Sequence, residues 1–407
     1  MSAAETEPRF RDILRIPEIR AAMLGTFVIM LGYGILAPVL PNYARSFGVD
    51  YDAVGVLVGA FSFTRLVFDP IVGRLITRYG ERAMATIGAA GVGVSTMLAA
   101  VAPTYPLLVI FRGAGGAGSA VFFAALLSFL LRTIPSDRVG RVMGVYYTSF
   151  NVGIIAGQPF GGVLARLFGI TSPLWIYAAS CFVSAWMFHR TIRDAPRTGQ
   201  VRHVSIRRLP WGRPLVAVLA ANGAYLWVIG AVFGTLLPLF AHAREGVGLS
   251  LAATGGALAV ATLTEFAVLF PAGKSTDRRG RRAVLLPGLA GFAIVTAVLG
   301  FATTPLSLVL ALAALGVGSA YAGVPPAPML SDITPEGMSG PAVAVFRFVG
   351  DVGFVLGPLV AGWAASAYGF ATAFAVSALP CAVALVLLLG VRETMPMLPR
   401  TGEAAGL

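Results

Sequence analysis

The chain has 407 residues, of which 57% are hydrophobic and only 12% charged, with a formal net charge of +12. Soluble domains carry roughly 25% charged residues, so a water-soluble globule of this composition would expose apolar surface on every side. That excludes an ordinary soluble enzyme and points to a chain whose exterior faces lipid.

The first apolar run follows Arg9, Arg11, Arg15 and Arg20; it is too long for a cleaved leader and lacks a small-residue cleavage site. A bilayer core needs about 20 apolar residues per helix. Runs of that kind lie near residues 21–41, 53–72, 83–101, 106–131, 142–168, 173–190, 214–240, 251–272, 283–301, 305–330, 342–367 and 371–391. They predict an all-α membrane protein of twelve transmembrane helices. The one long polar connector, 191–213, divides the chain into an N-terminal six-helix bundle (1–190) and a C-terminal one (214–407).

Net positive charge could serve nucleic acid or cytoplasmic loops, and the placement of the basic residues separates the two. With the N-terminus inside, inner segments hold 24 of the 30 basic residues, whereas outer loops and ends hold only Arg45, Arg166 and Arg244. Both termini are therefore expected to be cytoplasmic, and no nucleic-acid partner is needed. Cys181 and Cys381 sit within apolar runs without metal spacing. His189, His203 and His242 sit at or beyond helix ends and are expected to be solvated. The sequence shows no catalytic triad, metal cluster or cofactor motif, so the expectation is a non-enzyme with no cofactor.

The halves align without a gap at an offset of 200. Gly34 and Pro38 match Gly234 and Pro238, Gly73, Arg78, Gly80 and Arg82 match Gly273, Arg278, Gly280 and Arg282, and Gly153, Gly157 and Gly162 match Gly353, Gly357 and Gly362. Six helices per unit is even, so the two units enter the membrane from one side. Such parallel repeats let two similar bundles rock about a site between them.

The loop between the eighth and ninth spans reads Gly273-Lys-Ser-Thr-Asp277-Arg278-Arg-Gly280-Arg281-Arg282. It resembles the G-x-x-x-D-R-x-G-R-R signature of the major facilitator superfamily, and the resemblance covers essentially the whole chain. Its glycines are expected to permit a tight turn, and Asp277 to accept hydrogen bonds from a helix N-terminus, where the dipole favours an anion. The matching first-half loop, Gly73 through Arg78 and Gly80 to Arg82, carries Thr77 in place of the aspartate and Glu81 in place of a base. Asp69, upstream, could replace the missing anion or serve as an i,i+4 partner of Arg65.

Arg112 precedes Gly113, Gly115 and Gly118, which match a dinucleotide fingerprint by spacing, but that fingerprint needs a preceding strand. In the family, an arginine here resembles one linked to proton coupling; the alternative is a structural arginine bonded to carbonyls. Gly153, Gly157, Pro159, Gly161 and Gly162 resemble the glycine-rich helix of family antiporters, with the proline displaced by one position, and Gly153, Gly157 and Gly161 form a stripe for close helix approach.

Coupling requires a protonatable group within the membrane. Asp351 lies about nine residues into its span, near mid-membrane; Arg347, four residues earlier, could couple with it or neutralise it. Glu265 is similarly deep with no nearby base in sequence, so it either pairs across helices or holds a proton. The resemblance implies a cavity lined by the first, fourth, seventh and tenth spans, which offer Tyr33, Asn42, Phe122, Phe123, Asn222, Tyr225, Trp227 and Tyr321 but no carboxylate. Such a wall suits a bulky, partly apolar solute, although each aromatic could equally be packing. The expectation is a proton-driven efflux transporter resembling bacterial drug:proton antiporters, working as a monomer on a small-molecule substrate. Uptake symport on the same fold is the alternative.

Overall fold

The computed structural model describes residues 16–134, 139–193, 208–335 and 338–395, with backbone only at 139–141. Arg9, Arg11, Arg15, Arg138, Arg197, Arg202, Arg207, Arg400, His203 and most of the connector lie outside the described residues. The helices are α1 (Pro17–Leu36, continued by a short helix Leu40–Arg45), α2 (Tyr51–Tyr79), α3 (Glu81–Ala100), α4 (Tyr105–Thr133), α5 (Val139–Phe168) and α6 (Ser172–Thr191). The second half contains α7 (Arg213–His242), α8 (Leu251–Arg279), α9 (Arg281–Phe301), α10 (Pro305–Ile333) and α11 (Ser339–Leu389). α11 has two arms that meet at Gly369, where φ is 81°. Among the described residues, nine helices are long and apolar enough to cross a bilayer.

In lipid the backbone must satisfy its own hydrogen bonds, and a helix does so within one segment. The sequence starts several helices with proline in the first turn, where its missing N–H costs nothing: α1, α4, α6, α7 and α10 all do this. At α10 the Thr304 and Ser307 side chains form a reciprocal capping box. Large apolar side chains stand outward, among them Phe270, Phe168 and Phe301 at 80%, 72% and 70% exposure. An apolar exterior of this extent fits a lipid surround.

The repeat is visible in the backbone. Every positive-φ residue among those described is a glycine, and the six form three pairs 200 apart: Gly48 and Gly248, Gly80 and Gly280, Gly169 and Gly369. Only Gly80 (φ 88°) and Gly280 (φ 104°) turn the chain at the signature loops. Gly73 and Gly273 lie inside α2 and α8, correcting the expectation that they help form a tight turn.

Two ends of the helix array are defined by contacts. At one end Tyr43 donates to the Ala99 carbonyl (3.0 Å), the Tyr51 ring meets Phe370 at a tilt (4.9 Å between centroids) and Gly162 abuts Leu251. At the other, which we call the terminal end, Arg132 pairs with Glu81 (3.1 Å), Arg193 with Glu18 (3.9 Å), and Arg282 bonds the Leu388 carbonyl (3.2 Å).

The glycine stripe of α5 packs on α1. A Cβ at Gly153, Gly157 or Gly161 would strike the backbone carbonyls of Phe27, Leu31 and Ile35 in turn. Gly353 and Gly357 meet Gly223 and Trp227 of α7 in the same manner. Gly162 and Gly362 instead touch the opposite half, at Leu251 and Tyr51. Pro159 lies inside α5.

Candidate functional site

A cavity of about 380 Å³ lies between the two halves of the chain. From the first half it receives Tyr33 of α1, Phe61, Ser62 and Arg65 of α2, Arg112, Ser119 and Phe123 of α4, Phe150, Asn151 and Gln158 of α5, and Tyr177 of α6. The second half supplies Tyr225, Leu226 and Phe233 of α7, Thr262 and Glu265 of α8, and Phe354 of α11.

Its charges are held in three ways. Glu265 accepts hydrogen bonds through Oε1 from the Tyr225 hydroxyl (3.1 Å) and the Ser319 hydroxyl (2.9 Å). Arg112 is 2% exposed, and its Nε and Nη1 have no hydrogen-bond partner among the described residues. Its guanidinium lies over the Phe61 ring at 4.1 Å and faces Tyr177 at 5.9 Å. Arg65 is ion-paired with Asp351 across the halves and lies 5.9 Å from the Phe354 ring. Asp69 and Arg347 make a second cross-half pair at 3.8 Å. On the other side of the cavity, the α5–α8 contact is neutral: the Thr262 hydroxyl donates to Gln158 at 3.1 Å.

Several expected roles change. The ion partner of Asp351 is Arg65, while Arg347 pairs with Asp69, so neither the Arg347–Asp351 pair nor the Arg65–Asp69 pair within one helix is the principal arrangement. The reason is geometric: α2 and α11 lie side by side, and a pair across that seam joins groups that each helix alone leaves facing outward. Asp69 is the anion of that second cross-half contact. Asp277 does not meet a helix N-terminus. It is 73% exposed and contacts Arg281 at 3.3 Å, whereas Glu393 accepts from the backbone N–H of Arg281 (2.7 Å), Arg282 (3.1 Å) and Ala283 (3.3 Å). Arg78 lies 5.3 Å from the Tyr79 ring, and Arg278 is in the last turn of α8. Arg112 rests on aromatic faces and not on carbonyls.

Of the expected cavity residues, Tyr33, Phe123 and Tyr225 line it. Asn42 donates to the Pro238 carbonyl (3.2 Å) and fastens α1 to α7. Phe122 is 1% exposed and packs on Phe188. Asn222 donates to the Phe346 carbonyl (2.8 Å), Trp227 packs against Gly353 and Gly357, and Tyr321 lines a separate cleft bounded by α8, α9 and α10. The lining is not confined to the first, fourth, seventh and tenth spans, which themselves bring no carboxylate: α2, α5, α6, α8 and α11 also contribute, and α8 brings Glu265. Missed were Phe61, Phe150, Tyr177, Phe233 and Phe354, whose helices are apolar on all sides and give no periodic signal for the inward face.

The Major Facilitator Superfamily model matches residues 22–264 and 223–406, which together take in nearly all of the chain. The protein belongs to the Major Facilitator Superfamily. As a member it is a multi-pass membrane transporter and not an enzyme. It is 22% identical over 362 residues to an uncharacterized MFS-type transporter of Methanocaldococcus jannaschii, covering 87% of this chain and 92% of that one. It is 27% identical over 252 residues to Multidrug resistance protein 1 of Bacillus subtilis, covering 60% of this chain and 64% of that relative's length. Among solved structures, a bacterial homolog of the human lysosomal transporter Spinster, in an inward-facing and occupied conformation, superposes with a TM-score of 0.75. That match is at 16% identity and covers 94% of this chain and 97% of the other, and it shows the superfamily fold.

Proposed function

We propose that this chain is a proton-coupled exporter of a small, partly apolar solute, working as a monomer by alternating access. With the two arms of α11 counted separately, twelve crossings form two six-helix bundles (1–190 and 214–407) joined by the connector 191–213, related by a pseudo-two-fold axis. The basic bias supports a cytoplasmic location for the terminal end. The contacts Asn42–Pro238, Tyr51–Phe370 and Gly162–Leu251 join the halves at the far end and support a cavity that opens inward.

One observation carries the coupling: Glu265, a carboxyl lining the cavity between the halves, is held by two hydroxyls and has no basic partner among the described residues. It can take and release a proton without breaking an ion pair. Arg112 places a positive charge on the first-half side of the same cavity, while Asp351 with Arg65 and Arg347 with Asp69 hold the α2–α11 seam and couple its opening to the state of the cavity. Export is supported by the similarity to Multidrug resistance protein 1 and by the glycine-rich α5. Uptake by symport has one observation in its favour: Arg112 and Glu265 line the same cavity, so an anion on the first and a proton on the second would load together.

The test is transport by the full chain in proteoliposomes under an imposed pH gradient, with fluorescent cationic, neutral and anionic aromatics as probes. Wild type is expected to move at least one probe with the gradient, and Glu265→Gln to lose the pH dependence while retaining exchange. Flux indifferent to both the gradient and Glu265→Gln refutes the coupling, and the direction of flux separates export from uptake.

A further inference from the structure

We propose that the cavity is a receptor for amphiphilic monoanions, compounds with a sulfonate or carboxylate head on an aromatic body, and that Arg112 binds the head. This rests on the transporter reading but not on its direction. Arg112 is 2% exposed, lines the cavity, and leaves Nε and Nη1 without partners. A guanidinium carries five N–H donors in a planar fork that matches two oxygens of one anion. Phe61 and Tyr177 stabilise the cation through their ring faces but accept no in-plane hydrogen bond from it. The fork is therefore held in place with its Nε and Nη1 donors unspent among the described residues.

Among the described residues no group answers that charge. The carboxylate of Asp351 is engaged by Arg65, Asp69 is paired with Arg347, and Glu265 is bound by the hydroxyls of Tyr225 and Ser319. The internal repeat shows that the arginine is not a packing requirement. The position 200 residues on is Leu312, fully buried at 0% exposure, so α10 builds the equivalent helix with an apolar side chain. A buried cation kept where the repeat accepts leucine points to a ligand that neutralises it. The remainder of the lining, with Phe123, Phe150, Phe233 and Phe354, offers flat apolar area for a ring system.

The experiment uses the full chain in lipid nanodiscs, with empty nanodiscs as background. Three radiolabelled probes share one ring system: naphthalene-2-sulfonate, naphthalene-2-sulfonamide and the 2-naphthyl-trimethylammonium cation. Equilibrium dialysis is expected to show the sulfonate binding at least about tenfold tighter than the sulfonamide, the scale of one charge-assisted hydrogen-bonded contact, with the ammonium weakest. Arg112→Gln is expected to erase that preference, and Arg112→Lys to keep part of it, since lysine retains charge without the fork. A measurement on wild type guards against misfolded variants: naphthalene-2-sulfonate should slow modification of Arg112 by phenylglyoxal, and the sulfonamide should not. Tighter binding of the ammonium, no binding of the sulfonate, a preference that survives Arg112→Gln, or no protection of Arg112 overturns the proposal. Transport of the sulfonamide or ammonium without sulfonate binding would leave the transporter reading standing and remove only this one.

Discussion

The corner where α3 begins and the corner where α9 begins share a backbone and carry opposite charges. Each follows a positive-φ glycine, Gly80 or Gly280. In the first, Glu81 is 2% exposed, accepts from Ser128 (3.1 Å) and pairs with Arg132 (3.1 Å). In the second, Arg281 stands 200 positions from Glu81 and pairs with Asp332, the counterpart of Arg132, at 2.9 Å. Arg193 and Glu393 are inverted in the same way. A helix N-terminus favours an anion. Glu81 supplies it from within its own helix, whereas Arg281 cannot, and Glu393 brings a carboxylate from beyond α11 onto the N–H groups of residues 281–283. The fold requires an anion at the helix start and a complementary pair between neighbouring helices. Which residue provides each is free.

The sharpest way to break this comparison is Arg132→Ala, which leaves the Glu81 carboxylate buried with Ser128 as its one partner among the described residues. Loss of one partner of a buried pair costs about 3 kcal/mol, to be read as a lowered unfolding midpoint of the purified chain. Asp332→Ala is expected to cost about half that, because Arg281 keeps Asp277 and the Thr276 carbonyl. Reversal sharpens the comparison further: Glu81→Arg with Arg132→Asp should recover much of the single-variant loss, a coupling of about 1–3 kcal/mol in a double-mutant cycle. A double variant no better than the singles would show that the corners are not interchangeable.

At the seam between the halves, Asp351→Ala is expected to cost about 1–2 kcal/mol, less than at Arg132 because Arg65 is 28% exposed. Thermal unfolding of Asp351→Ala, Arg65→Ala and the double variant checks it. The smallest effect is at Glu393. Partial burial alone would push its carboxyl up, but the backbone N–H groups of Met395, Arg282, Ala283 and Arg281 outweigh that and hold it below the ordinary carboxylate range. A depressed folded-state value contributes stability above the unfolded value that is lost as pH falls through the folded one. Midpoints measured against pH should show a small acid-side loss in wild type that Glu393→Gln lacks.

Much of the scaffold was legible in the residues. The apolar runs located the helices to within several residues, because bilayer thickness dictates a length that composition reveals. The fixed offset foretold the paired turns at Gly80 and Gly280, and the four-residue glycine spacing foretold a close helix contact. The candidate site was less legible. Arg112 and Glu265 stood out because charge is rare in such helices, yet the roles of Asn42, Phe122, Asn222, Trp227 and Tyr321 could not be read, since an aromatic or amide in an all-apolar helix looks the same facing a cavity, a neighbour or lipid.

By itself, then, the sequence determined the helices, the internal repeat and the rare buried charges, all of which follow from local composition and from one bilayer's demands. Only the tertiary structure decided the partners. Arg65 chose Asp351 over its helix neighbour Asp69, Glu393 displaced Asp277 at the start of α9, and Arg112 was left over aromatic rings without an anion among the described residues. Those choices depend on which helix faces meet across the halves, a property of tilt and rotation that no single helix encodes.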